Sequence, residues 1–71
     1  MAAEVNWVDA AVVLAMRKCT PPSKEGLAAA LGVSRIAIHH WQRRGSMRGA
    51  RTETALRLAE LSGIPIEKLA G

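Results

Sequence analysis

Residues 27–45 read LAAALGVSRIAIHHWQRRG, a helical pattern that is interrupted at Gly32 and resumes two residues later. Gly readily takes the left-handed conformation in which helices commonly end, and Ser34 is a favourable N-cap for a following helix. We therefore predict a short helix over 24–31, a tight turn, and a third helix that Ser34 caps and that ends at Gly45. Two helices joined by such a turn form a helix-turn-helix motif.

Helical spacing continues on both sides of this motif. Asn6 is the expected N-cap of a first helix that ends at Thr20-Pro21-Pro22, and Ser23 is the expected N-cap of the second. A fourth helix is predicted from about residue 52 to 61, and a last helical turn over 66–70. Because no segment has the alternation of a strand, we predict an all-α fold: one domain over 1–71, built as a compact bundle of four helices plus a short C-terminal helical turn.

Apolar residues at helical spacing define the expected core. Ile38 and Trp41 should anchor the third helix, and Ile66 and Leu69 should close the open end of the bundle. The other inward-facing positions are Val8, Ala11, Val12, Ala15, Met16, Cys19, Leu27, Ala28, Leu31, Ala55, Leu58 and Leu61.

Basic residues are concentrated in the middle of the chain. The 71 residues include 10 Lys and Arg against 6 Asp and Glu, a formal charge of +4. No acid occurs from Gly26 to Thr52, a segment that contains Arg35, Arg43, Arg44, Arg48 and Arg51. Such a cationic segment indicates a polyanionic partner such as nucleic acid; a solvated basic face is the second interpretation.

The third helix also has an unusual outward face. On a helical wheel, Ile36, His39, His40 and Arg43 lie opposite Ile38 and Trp41, with Arg35 at the edge. An ordinary surface helix more often carries Glu and Lys in i, i+4 pairs. This acid-free ridge is of the kind that enters a DNA major groove.

The quoted segments carry a family resemblance. LAAALGVS, IAIHHW and RRG, within 23–45, resemble the helix-turn-helix of Cro-like and phage-repressor regulators, including related bacterial antitoxins, and SGIPIEKL is similar to that family's C-terminal part. The resemblance implies a lambda repressor-like DNA-binding domain. By position it implies base reading by Arg35, Ile36 and His40, and phosphate contacts by Lys24 and Ser34.

Two positions depart from the family pattern. Lys24 replaces a frequent Gln, which changes the geometry of a phosphate contact. Ile36 replaces the more frequent Gln, Ser or Pro, so a contact with a thymine methyl group would substitute for a hydrogen bond.

We accordingly predict a DNA interface over the recognition helix 34–44 and the basic loop that follows. The predicted base-reading residues are Arg35, Ile36, His39 and His40. The predicted phosphate-binding residues are Lys24, Ser34, Arg43, Arg44, Arg48 and Arg51. The adjacent histidines point about 100° apart and cannot chelate one metal together.

Other classes of function have little support in the sequence. We expect no metal site, no cofactor and no catalytic residue, because no nucleophile–base pair, Gly-rich phosphate loop or carboxylate cluster is evident. Cys19 is the single cysteine, which fits a reduced, cytoplasmic setting. The family resemblance implies a bacterial or phage protein located at the nucleoid. No signal peptide or membrane span is evident, and no membrane partner is expected.

The leading hypothesis is therefore a transcriptional regulator, a Cro-like repressor that binds a palindromic operator in double-stranded DNA as a homodimer. The alternative is an antitoxin or adaptor that mainly binds a protein partner such as a toxin, favoured by apolar residues at Trp7, Val13 and Leu14. A third reading is the DNA-recognition part of a recombinase or transposase. Electrophoretic shift with random DNA against protein pull-down would separate the first two.

Overall fold

A computed structural model describes residues 5–69, and every regular element in that range is a helix. The elements are α1 (Trp7–Met16), α2 (Lys24–Leu31), α3 (Arg35–Arg44), α4 (Thr52–Ser62) and α5 (Ile66–Leu69). The predicted all-α class is thus confirmed, and the predicted ends of α2, α3 and α4 are correct to within a residue. The predicted end of the first helix at Thr20-Pro21-Pro22 is wrong: α1 ends at Met16, because the Lys18 and Cys19 N–H groups donate to carbonyls three residues back and close a turn. Ala70, predicted in the last turn, lies outside the described residues.

Side-chain caps begin the first three helices as predicted. The Asn6 Oδ1 accepts a hydrogen bond from the Asp9 N–H at 3.0 Å, and the Ser23 Oγ accepts one from the Gly26 N–H at 3.4 Å. The Ser34 Oγ accepts one from the Ala37 N–H at 3.1 Å. Each of these bonds satisfies a donor that the helix itself leaves unpaired.

The core is organised around α1, which packs against all four other helices and most extensively against α4. The expectation that four particular residues belong to the core is wrong. Met16, Cys19, Leu61 and Ile66 are only half-buried and pack at its edge, because they lie near element ends. The buried apolar residues are Val8, Ala11, Val12, Ala15, Leu27, Ala28, Leu31, Ile38, Trp41, Met47, Ala55, Leu58, Ile64 and Leu69.

The segment between α3 and α4 is more than a basic loop. Met47 is only 3% exposed and belongs to the core. Its backbone N–H donates to the Leu69 carbonyl oxygen at 2.9 Å, which joins the loop to α5. Met47 therefore fixes the path of the segment that carries Arg48 and Arg51.

Gly26 marks a close approach between α2 and the chain that precedes it. The residue is buried, and a Cβ atom at this position would collide with the Pro21 carbonyl oxygen. Any larger residue at position 26 would therefore push α2 away from this segment, and α2 supports the turn before α3.

Candidate nucleic-acid interface

The turn between α2 and α3 sets the direction of α3. Gly32 has φ 70° and ψ 33°, the left-handed conformation that closes α2, and the Val33 N–H donates to the Ala28 carbonyl at 3.0 Å. No atom lies within 4 Å of a Cβ built on Gly32, so backbone conformation and not space requires glycine here. Beyond the turn, Ile38 and Trp41 are buried as predicted and anchor α3.

The opposite side of α3 is exposed along its length. Ile36 has 68% of its surface accessible, more than the other large apolar side chains that are exposed. His39, His40 and Arg43 are exposed beside it. Exposing a large β-branched side chain contributes nothing to folding. The exposure of Ile36 therefore indicates, more than that of any other residue on this face, a role other than stabilising the fold.

The first part of the face carries an ion pair that the sequence did not reveal. Arg35 Nη1 lies 3.4 Å from Glu25 Oε1, and the two side chains are 64% and 75% exposed. Arg35 also lines a shallow depression of about 190 Å³ together with Lys24, Ile36 and His39. The structure thus brings Lys24 and three of the four predicted base-reading residues together.

The second part of the face is joined to the loop that follows α3. His40, Arg43 and Arg44 line a separate depression of about 340 Å³. Arg44 Nη2 donates to the Arg48 carbonyl oxygen at 3.1 Å, so this guanidinium holds the loop against the end of α3. Arg43, in contrast, is exposed on the outward ridge.

Other predicted phosphate-binding residues lie elsewhere or are already engaged. Arg51 lines a cleft of about 680 Å³ beside Trp41 and Arg57, and Arg48 lines a groove that also contains Glu67. Ser34 caps α3 through its oxygen, which leaves its hydroxyl hydrogen as the available donor. The six predicted phosphate ligands therefore do not form one continuous cluster.

Sequence reasoning missed a polar junction that positions α3. Gln42 Nε2 donates to the Asp9 carboxylate at 2.8 Å, and Asn6 Nδ2 donates to the backbone carbonyl oxygen of Gln42 at 2.8 Å. The Gln42 Oε1 is buried and has no hydrogen-bond partner among residues 5–69. Partners separated by more than 30 residues leave no local pattern, so periodicity could not have identified this junction.

Arg57 is a second residue whose role was not predicted from the sequence. Its Nη1 donates to the Ala30 carbonyl at 3.4 Å, near the C-terminus of α2. A cation there compensates the unpaired carbonyls and the negative end of the helix dipole. Arg57 therefore ties α4 to α2 beside the turn.

Two further features concern other kinds of site. Within residues 5–69, no three His, Cys, Asp or Glu side chains are grouped as metal ligands would be. In the same range, no helix has both the length and the apolar character required to cross a membrane.

Comparison with protein-family models, with curated proteins and with solved structures gave no match to this chain.

Proposed function

We propose that this domain binds double-stranded DNA as a sequence-specific transcriptional regulator, with α2, the Gly32 turn and α3 acting as a helix-turn-helix. The observation that carries the proposal is the outward face of α3: exposed Ile36, His39, His40 and Arg43 and no acid, on a helix anchored by buried Trp41. Donors and one apolar side chain are the groups that read base edges in a major groove.

The basic residues around this face supply the sequence-independent part of the affinity. Arg43 is exposed on the ridge, and Arg48 and Arg51 are exposed in the segment between α3 and α4, where each lines a depression beyond the ridge. Each phosphate that a cation neutralises releases counterions and contributes about −0.9 to the slope of log K against log salt. Base contacts from α3 then add discrimination between sequences.

Fluorescence anisotropy with a labelled random duplex, measured at several salt concentrations, tests the proposal. Arg43→Gln should weaken binding and make the salt slope shallower by about 1. Lys18→Gln is the matched control: Lys18 is exposed and lies beyond the end of α1, so this substitution removes one positive charge from another part of the domain. An absence of binding by the wild type, or equal losses for both variants, would contradict the proposal.

Selection of bound sequences from a random DNA pool tests sequence specificity. If the protein is a regulator of this class, the selection should recover one sequence motif. If it binds as a homodimer, that motif should contain two inverted half-sites whose centres are about 34–36 Å apart. Recovery of unrelated sequences would show that the protein binds DNA without sequence specificity.

A second candidate property is pairing with another copy of the chain through α1, favoured by the apolar residues on its outer side. Trp7, Val13 and Leu14 are 38%, 43% and 39% exposed. Lys68 Nζ lies 5.3 Å from the centre of the Trp7 ring, which leaves Val13 and Leu14 as the less covered part of the surface.

Charge along α1 suits a second copy packed antiparallel. Asp9, Val13 and Arg17 are spaced at i, i+4 and i+8 and share one exposed side of the helix. A two-fold axis at Val13 places Asp9 of each copy opposite the partner's Arg17, whereas parallel packing would oppose like charges. The face is short, about 15 Å for ten residues, so this pairing is weak and concentration-dependent.

Oxidative cross-linking tests this pairing at the residue that would lie on the axis. In a Cys19→Ala background, Val13→Cys should form a disulfide-linked dimer, whereas Leu56→Cys, exposed on α4, should not. A dominant cross-link at Leu56 would place the dimer on another surface. A monomer by sedimentation at high concentration, with no cross-link at Val13, would instead favour a different protein partner for α1.

A further inference from the structure

Glu25 is an acid in a region that otherwise lacks acids. No other Asp or Glu occurs between Ala10 and Thr52, and Glu25 lies in the first turn of α2, beside Lys24. A carboxylate is favourable at a helix N-terminus, but Ser23 already caps α2. Placed next to the proposed DNA-reading face, the same carboxylate opposes the approach of phosphates.

The contact that Glu25 makes connects it to the proposed base-reading residues. Its Oε1 accepts a hydrogen bond from Arg35 Nη1 at 3.4 Å. Both side chains are mostly exposed, and exposed ion pairs contribute little to folding stability. We therefore expect the Glu25–Arg35 ion pair mainly to determine which group of the DNA the Arg35 guanidinium contacts.

We propose that Glu25 is a specificity-determining positioning residue, which holds Arg35 for base reading and reduces binding to DNA of arbitrary sequence. The inference rests on the proposed function and deepens it. A guanidinium has five N–H donors in a rigid fork. With Nη1 engaged by Glu25, Nη2 and Nε keep the paired donors that a guanine edge requires.

The alternative destination of Arg35 is the DNA backbone. An untethered arginine on a long side chain readily pairs with a phosphate, which strengthens binding to every sequence alike. The Glu25 carboxylate competes with phosphate for that guanidinium. Because the Debye length is about 8 Å at physiological ionic strength, its repulsion acts only on the nearest phosphates.

Glu25→Gln tests this role, because glutamine keeps the shape and the acceptor oxygen but removes the charge. Glu60→Gln is the matched control. Glu60 is exposed in α4 and borders the groove that contains Leu56, and its substitution changes the net charge by the same amount. For Glu25→Gln we expect about threefold tighter binding to random duplex and a salt slope steeper by about 1. Discrimination at the base pair read by Arg35 should fall about fivefold, part of the 1–3 kcal/mol that a bidentate pair provides.

An Arg35→Ala background shows whether Glu25 acts through Arg35. There, Glu25→Gln should leave discrimination unchanged, and circular dichroism should confirm that every variant is folded. Unchanged discrimination in the single variant, equal effects of Glu60→Gln, or a persistent effect without Arg35 would each overturn this inference while wild-type binding remained. An absence of DNA binding by the wild type would overturn the proposed function and this inference together.

Discussion

The side-chain amide of Gln42 donates to the Asp9 carboxylate at 2.8 Å, which joins the C-terminal half of α3 to the first turn of α1. The bond is charge-assisted, and hydrogen bonds to charged groups contribute about 1.5–3 kcal/mol to stability. This bond is exposed to solvent, so we expect a contribution toward the lower end of that range. Because Asn6 also donates to the backbone of Gln42, α3 is held at its end by two independent contacts.

Gln42→Ala should therefore lower the free energy of unfolding by about 1–2 kcal/mol, measured by urea denaturation. The control is a double-mutant cycle with Asp9→Asn, which tests whether the two losses are coupled. Fully additive losses would show that the bond contributes nothing as a pair. Because Gln42 is not on the outward ridge, Gln42→Ala should change the free energy of DNA binding by less than it changes the free energy of unfolding.

Gly26→Ala tests the close approach between α2 and Pro21. Helix propensity alone predicts that this change stabilises the protein by about 0.5–1 kcal/mol. The collision of the new Cβ with the Pro21 carbonyl predicts the opposite sign. Ala29→Gly, exposed in the same helix, gives the propensity term by itself; stabilisation by Gly26→Ala would contradict the close approach.

Met47→Ala tests whether the loop after α3 is anchored in the core. Removing a buried Met side chain should cost about 2–5 kcal/mol in the free energy of unfolding. Arg48→Ala, at the exposed neighbouring position, should leave stability within about 0.5 kcal/mol of wild type. Similar small effects of both substitutions would mean that this loop is held only by its ends.

Local sequence signals predicted much of this architecture. The caps at Asn6, Ser23 and Ser34 and the helix ends at Gly32 and Gly45 are decided by residues within one turn, so they could be identified directly. The predicted anchors Ile38 and Trp41 follow from helical spacing alone. Met47 could also have been found, as the one large apolar residue in a polar loop.

Contacts between distant segments could not be predicted in this way. The Asp9–Gln42 and Arg57–Ala30 hydrogen bonds join residues 33 and 27 positions apart. Composition showed that arginines are concentrated in 35–51, but it could not show that Arg44 binds a carbonyl or that Arg51 faces a different cleft. Whether the outward ridge binds DNA stays a prediction.

Arg35 and Arg48 should differ in their effect on DNA binding. Arg35→Ala should flatten sequence preference at one base pair, a loss of about 1–3 kcal/mol of discrimination. Arg48→Ala should weaken binding to all sequences alike and reduce the salt slope by about 1. Affinities for selected and random duplexes, measured across salt concentrations, separate the two effects; identical behaviour of the variants would contradict this division.

Ile36 provides the most direct test of base reading. Its side chain is 68% exposed, so Ile36→Ala should leave the free energy of unfolding within about 0.5 kcal/mol of wild type. A contact with a thymine methyl group predicts that replacing one thymine of the selected site by uracil weakens wild-type binding. The same replacement should have no effect on Ile36→Ala.

The uracil substitution changes only the methyl group, so the DNA backbone and the hydrogen-bonding edges serve as their own control. Each thymine of the site is replaced in turn, and one position should respond in the wild type alone. If no position responds, or if the variant responds equally, Ile36 does not read thymine, and its exposure would then fit a contact with another protein.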